Sequence, residues 1–453
     1  MPNVQAGKVR FHTAVAIVVA NMIGAGVFTS LGFQIAGGIT SIFPLLMLWL
    51  VGGIIALCGA LSYGELAGMM PRSGGEYLYL SEIYHPAVGF MSGFVSATVG
   101  FAAPVAAAAV ALGKYASSVF PEAKNLFGTG IQAVFPDPFA ILLALLVVAL
   151  LTYIHATDLK AGSIFQNIST SVKVGLILFF VLCGLLLIPS PQPIQVLPQA
   201  GDALQLFNPA FAVSLIYVSY AYSGWNASAY LAGEIENPQR NVPRSLLVGT
   251  LLVMVAYVLL NFVFLYTVPT ETLKGQVEVG YLAAEAIFGT TLGRVMGLMI
   301  ALLLVSSISS MIFAGPRVAQ AMGEDLPLLR LLGTKSAKGL PVPAILAQTT
   351  ITTLLILSAS FDAIIRYVGF TLSLFTFLTV LGVFVLRFTR PEAPRPYRAW
   401  GYPLTPLIFL SLTLWTLVFL IIGQPRESLW GLGTVLLGLL VFGLDRLLVR
   451  RKG

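Results

Sequence analysis

From residue 12 to residue 449 this chain is a near-continuous succession of apolar runs. Each is long enough, at about 20 residues, to cross the hydrocarbon of a bilayer as one helix. In lipid a backbone must satisfy its own hydrogen bonds, and a long apolar run does so by becoming helical. Only 9% of the 453 residues are charged and 57% are hydrophobic, whereas a soluble domain carries about 25% charged residues. The runs predict twelve spans, at 12–36, 41–69, 86–118, 138–157, 162–189, 208–233, 243–267, 281–320, 342–359, 361–387, 404–423 and 428–449. The expected class is an all-α polytopic membrane protein, one transmembrane domain over 1–453 with no sizeable soluble part. No cleavable leader is expected, because the first run is too long and lacks an A-x-A-like exit.

Twelve spans put both termini on one side. Eighteen of the 25 Lys and Arg residues fall on that side, six fall on the other, and Lys173 is left inside the fifth span. Positive residues mark the cytoplasm, so both termini are expected there. Basic loops without a targeting signal suggest a prokaryotic inner membrane. The net charge of +7 belongs to these loops and not to a nucleic-acid face. Cys58 and Cys183 lie within apolar runs, so neither a structural disulfide nor a disulfide to a partner subunit outside the membrane is expected.

Two of the spans are weakened at mid-depth. The first carries Gly24-Ala25-Gly26 in NMIGAGVFTS, and the sixth carries Ser223-Gly224-Trp225-Asn226 in SYAYSGWNASAYLAGE. A glycine inside a helix costs about 1 kcal/mol against alanine. For the first break alone, a small-residue packing face is the better explanation. Two breaks, first and sixth, in two halves of five spans point instead to an inverted-repeat transporter. Repeat one would cover 12–189 and repeat two 208–387, with two extra helices at 404–449. An odd number of spans gives the halves opposite orientation. At a break, N–H groups starting one half-helix attract an anion and C=O groups ending the other attract a cation. A zwitterion such as an α-amino acid satisfies both.

Four stretches in order resemble the amino acid–polyamine–organocation superfamily, and within it the bacterial relatives of the L-type amino acid transporters. They are MIGAGVF (22–28), YAYSGWN with GEIENPQRNVPRSL (220–246), GPRVAQAMGEDLP (315–327) and LRFTRPEAPRPYRAWGYPLTP (386–406). The resemblance covers nearly the whole chain and implies the leucine-transporter fold. It also implies roles. Gly24, Ala25 and Gly26 would form the carboxylate site. Backbone oxygens at Met22 or Ile23, Tyr220, Ala221 and Ser223 would take the ammonium. Tyr220 would cap the site from outside, and Asn226 would lie beside the substrate. Two departures stand out: many L-type members have serine at Ala25 and glycine at Ser223.

Lys173 sits about ten residues into the fifth run, about 15 Å along the helix, a long way to snorkel to the surface. An ionisable residue at that depth is a functional candidate. The resemblance places a fifth-span lysine where related sodium-driven proteins hold the cation between the first and eighth spans. There its ammonium would bridge first-span carbonyls near Gly24 to the hydroxyl of Ser306, Ser307 or Ser309. Sodium-independent transport is therefore expected, with Lys173 also able to release a proton.

The central region offers neither a carboxylate nor an arginine, which favours neutral L-amino acids; the small third-span residues either leave volume or let helices approach, while Ser223 narrows the pocket, and the balance leans to small or medium ones. Two loops carry the charges of a possible inner gate, Arg72 and Glu76 in one and Glu236 and Arg240 in the other, together with Tyr220 and Trp225 on the sixth span; a solvated loop explains these charges about as well. No G-x-S-x-G, H-E-x-x-H or Walker motif is present, so no enzyme, pump, cofactor or metal is expected. A proton-coupled cationic amino acid or polyamine transporter of the same fold is the alternative substrate reading. A channel or an amino acid receptor is the alternative of another class.

Overall fold

The structure, a computed structural model, describes residues 9–157 and 161–450. Lys8, Lys160, Arg451 and Lys452, counted above for orientation, lie outside the described residues. Among those described there are helices and no strand; the one bridge-like pairing joins Val9 to Ile235. Among the described residues, nine helices are apolar and long enough to cross a membrane, and three shorter apolar helices, Val172–Leu186, Pro209–Tyr222 and Val342–Ser358, lie at expected span positions. The twelve expected spans thus each have a helix.

The first span is divided into Phe11–Met22, Gly26–Thr29 and Leu31–Ala36. Ile23 ends the first piece by turning to an extended backbone, with ψ at 96°. The sixth is divided into Pro209–Tyr222 and Ala227–Tyr230, and Gly224, with φ at +96°, makes the turn between them. A side chain strains that left-handed backbone.

The eighth span differs from the expectation at its outer end. Its helix runs Val279–Asp325, but Gly289 (φ 76°, ψ 174°) is not helical and separates a short leading helix from the long one. The apolar run continues across the kink, so hydropathy alone merged the two. The third span, Pro86–Val119, contains a π-helical turn at Ser96–Gly100.

The connection between the tenth and eleventh spans is anchored to the second. Glu65 is buried and its carboxylate accepts from Arg387 Nε at 3.0 Å and Nη2 at 2.6 Å, and from the Ala399 backbone N–H at 2.7 Å. Arg395 Nε lies 3.5 Å from the same carboxylate. Removing one member of a buried ion pair costs about 3–5 kcal/mol, because the partner charge stays buried without compensation. Glu65→Gln is therefore expected to lower the thermal unfolding midpoint of the detergent-solubilised protein markedly; an unchanged midpoint would show that this anchor is not structural.

Candidate functional site

The two interruptions lie against each other. A Cβ added at Gly26 would sit 2.5 Å from the Ala221 Cα, and one at Gly224 would sit 2.8 Å from the Asn21 backbone. Backbone meets backbone at both points, which is possible because glycine presents no side chain there. The crossing brings Met22, Ile23, Gly24, Ala25 and Gly26 beside Tyr220, Ala221 and Ser223. All of these but Gly24 and Ser223 are buried, and those two are half-buried.

The backbone groups at the crossing are only partly satisfied. Ala25 stands at the N-cap of Gly26–Thr29 and supplies no side-chain hydrogen bond to it. The first N–H groups of any helix lack partners within it, so these face the break. On the carbonyl side, the Tyr257 hydroxyl from the seventh span donates to Met22 O at 2.6 Å and lies 3.3 Å from Ala221 O. A hydroxyl has one hydrogen. It cannot fully serve two carbonyls, so the pair retains accepting capacity for a further donor such as an ammonium. Some expected acceptors are already engaged: Tyr220 O accepts from the Ser223 N–H at 3.0 Å.

Tyr257 was not singled out by sequence reasoning. The signal was present in VAYVLLN, where a tyrosine precedes the polar Asn261 by one helical turn; Asn261 Nδ2 in turn donates to Tyr257 O at 2.9 Å. A buried carbonyl left without its donor costs about 1–3 kcal/mol. Tyr257→Phe is therefore expected to lower the thermal unfolding midpoint of the solubilised protein; a variant with native stability would show that this hydroxyl does not hold the crossing together.

Lys173 is 3% exposed and its Nζ donates to Ser307 Oγ at 2.8 Å. Ser306 Oγ is buried with no hydrogen-bond partner among the described residues. Ser309 is engaged elsewhere, 2.8 Å from His155 Nε2. First-span carbonyls are not hydrogen-bond partners of Lys173 in this conformation.

Of the candidate gate residues, Arg72, Glu236 and Arg240 are exposed and form no ion pair among the described residues. Glu236 acts through its backbone, its N–H donating to Val9 O at 2.9 Å. Tyr220 is buried. Trp225 is buried too, its ring 4.7 Å from that of Tyr63 and 6.2 Å from that of Phe409. Glu76 behaves differently from the other loop charges: it is 4% exposed, and its Oε1 accepts from the Tyr63 hydroxyl at 2.7 Å and from Asn226 Nδ2 at 3.1 Å. Asn226, expected beside the substrate, is thus bonded to a loop carboxyl. That contact depends on how the loop folds back, and nothing in the sequence spacing marks it.

Comparison with known proteins gives a consistent set. The family described as amino acid permease matches residues 9–443. The b(0,+)-type amino acid transporter 1 of Mus musculus is 28% identical over 440 residues, covering 96% of this chain and 87% of the relative. The large neutral amino acids transporter small subunit 2 of Homo sapiens is 28% identical over 437 residues, covering 95% and 78%.

Proposed function

The chain belongs to the amino acid permease family, and on that premise we propose that it moves neutral, small to medium L-amino acids across the cytoplasmic membrane by alternating access, without sodium. The family and the named relatives are transporters, not enzymes. The observation that carries the reading is the crossing of the two broken spans, where Gly26 lies on Ala221 and Gly224 on Asn21. In this reading the substrate carboxylate takes the N–H groups at Gly24, Ala25 and Gly26. Its ammonium takes the Met22 and Ala221 oxygens that Tyr257 only partly satisfies. Ala25 leaves carboxylate recognition to backbone amides. The two halves, 12–189 and 208–387, act as inverted repeats around this crossing, with 404–449 outside them and both termini cytoplasmic.

Lys173 takes the place of a driving cation. Support comes from its burial, its bond to Ser307 and, one residue earlier in the eighth span, a buried Ser306 hydroxyl with no hydrogen-bond partner among the described residues. A tethered ammonium makes sodium unnecessary. Replacing sodium by choline on both sides of proteoliposomes is expected to leave uptake of labelled L-alanine unchanged; loss of uptake would reject this role.

Glu76 favours a second reading, cationic substrates, since it is a buried carboxylate with no ion-pair partner among the described residues. Its engagement by Tyr63 and Asn226 favours the neutral one. Counterflow of labelled alanine tests the function as a whole: a transporter accumulates label against unlabelled substrate inside, whereas a channel or receptor does not. Unlabelled L-arginine inside driving the same accumulation as L-alanine would favour the cationic reading.

One relative is named as a small subunit. A partner subunit of this chain would be held without a disulfide from Cys58 or Cys183, both buried in the bundle.

A further inference from the structure

Glu76 is placed oddly for a loop charge. It opens the short helix Gly75–Ile83 between the second and third spans, yet it is nearly sealed from solvent. No lysine, arginine or histidine among the described residues pairs with it. Its hydrogen-bond partners are neutral donors, Tyr63 from the second span and Asn226 from the far side of the sixth-span break, and the Tyr230 ring packs on the neighbouring Gly75. Tyr79, on its own helix, is buried nearby. The following helix, Pro86–Val95, carries no titratable side chain. From the tenth span, Thr379 is buried with its hydroxyl donating to Phe375 O at 2.8 Å, while Arg387 is held by Glu65. The same loop is tied to the sixth span by its backbone: the Gly74 N–H donates to Tyr230 O at 3.2 Å, and the Gly233 N–H to Ser73 Oγ at 3.3 Å.

A lone carboxylate among neutral donors is a poor ion pair but a good proton site. We propose that Glu76, with Tyr63 and Asn226, forms a proton-binding site at the cytoplasmic end of the sixth span, and that a proton taken up there from the cytoplasm holds the inner mouth closed. The inference rests on the transport reading and the cytoplasmic orientation given above. The physical sense is one of linkage. Burial pushes the Glu76 carboxyl up to about 7, against the opposing effect of the Tyr63 and Asn226 donors. Opening the mouth wets the carboxyl and lets it return to the ordinary carboxylate range, so the closed form binds the proton more tightly. Acid on the inner side therefore favours the closed form, and raising internal pH through neutrality releases it. The proton enters from the cytoplasm and returns there, so no net proton movement across the membrane is required.

The experiment is exchange of labelled L-alanine in proteoliposomes of fixed orientation, at constant external pH, with internal pH set at 6, 7 or 8. Wild-type exchange should rise about tenfold from internal pH 6 to 8, the ratio that linkage gives for a site moving between about 7 and the ordinary range. Glu76→Gln mimics the protonated carboxyl, and should show a flat profile near the wild-type rate at pH 6. Tyr63→Phe removes a donor that stabilises the ionised form, and should move the wild-type midpoint to higher pH. A flat wild-type profile, or a wild-type profile retained in Glu76→Gln, would overturn the proposal. Should Glu76→Gln fail to insert, an unchanged midpoint in Tyr63→Phe overturns it alone. Absence of exchange in the wild type at every internal pH is a different result, since it rejects the transport reading itself and this inference with it.

Discussion

Gly26→Val is expected to abolish substrate binding and exchange, by at least a hundredfold, in a protein that still inserts. An added Cβ at this position would lie 2.5 Å from the Ala221 Cα, 2.8 Å from its Cβ and 3.1 Å from its backbone nitrogen. None of these is the free end of a side chain that could rotate away. The sixth-span break would have to move off the first, and forced overpacking of this kind costs about 1–3 kcal/mol or more. In the proposed site, valine would also stand where the substrate carboxylate approaches the amides. Gly24→Ala is the control. Its added Cβ finds nothing nearer than Met22 O at 4.0 Å, so it should fold and keep measurable exchange. Equal loss in both variants would mean that the glycines matter for insertion or helix packing in general. Native exchange in Gly26→Val would mean that the crossing is not the site.

Lys173→Ala is expected to lose exchange by at least tenfold, or to leave substrate binding without productive exchange. The variant removes the donor to Ser307 Oγ in a stretch where the buried Ser306 hydroxyl already has no hydrogen-bond partner among the described residues. It also leaves a void, so Lys173→Met is the sharper substitution: it retains most of the volume and removes the charge. Loss in both variants assigns the effect to the ammonium. Loss in alanine with native exchange in methionine assigns it to packing, and native kinetics in both would remove Lys173 from the mechanism.

How much of this was legible in the chain follows from the range of each interaction. Hydropathy is local and repetitive, so the twelve spans could be read off, as could the breaks at Gly24-Ala25-Gly26 and Ser223-Gly224. Apolar content does not report backbone direction, which is why the kink at Gly289 inside one continuous apolar run was missed. Side-chain partners set by tertiary packing were the least visible. Tyr257 reads as one more aromatic in an apolar helix until its hydroxyl is seen on Met22 O. Glu76 reads as a loop charge like Arg72 until the loop folds under the sixth span and joins it to Asn226. Arg72, Glu236 and Arg240 suggested pairs by their signs alone, and in this conformation they remain exposed and unpaired among the described residues. The charges that do tie distant segments together, Glu65 with Arg387 and Arg395, are separated by more than 300 residues.

The central claim is that two broken helices together hold a zwitterion through their backbone groups. The measurement that reaches it most directly is competition against counterflow of labelled L-alanine in sodium-free proteoliposomes, using analogues that lack one charge. Unlabelled L-alanine is expected to displace the label, whereas propionate, which lacks the ammonium, and ethylamine, which lacks the carboxylate, are expected to leave counterflow intact at the same concentration. Displacement by either single-charge analogue as effectively as by L-alanine would contradict the account.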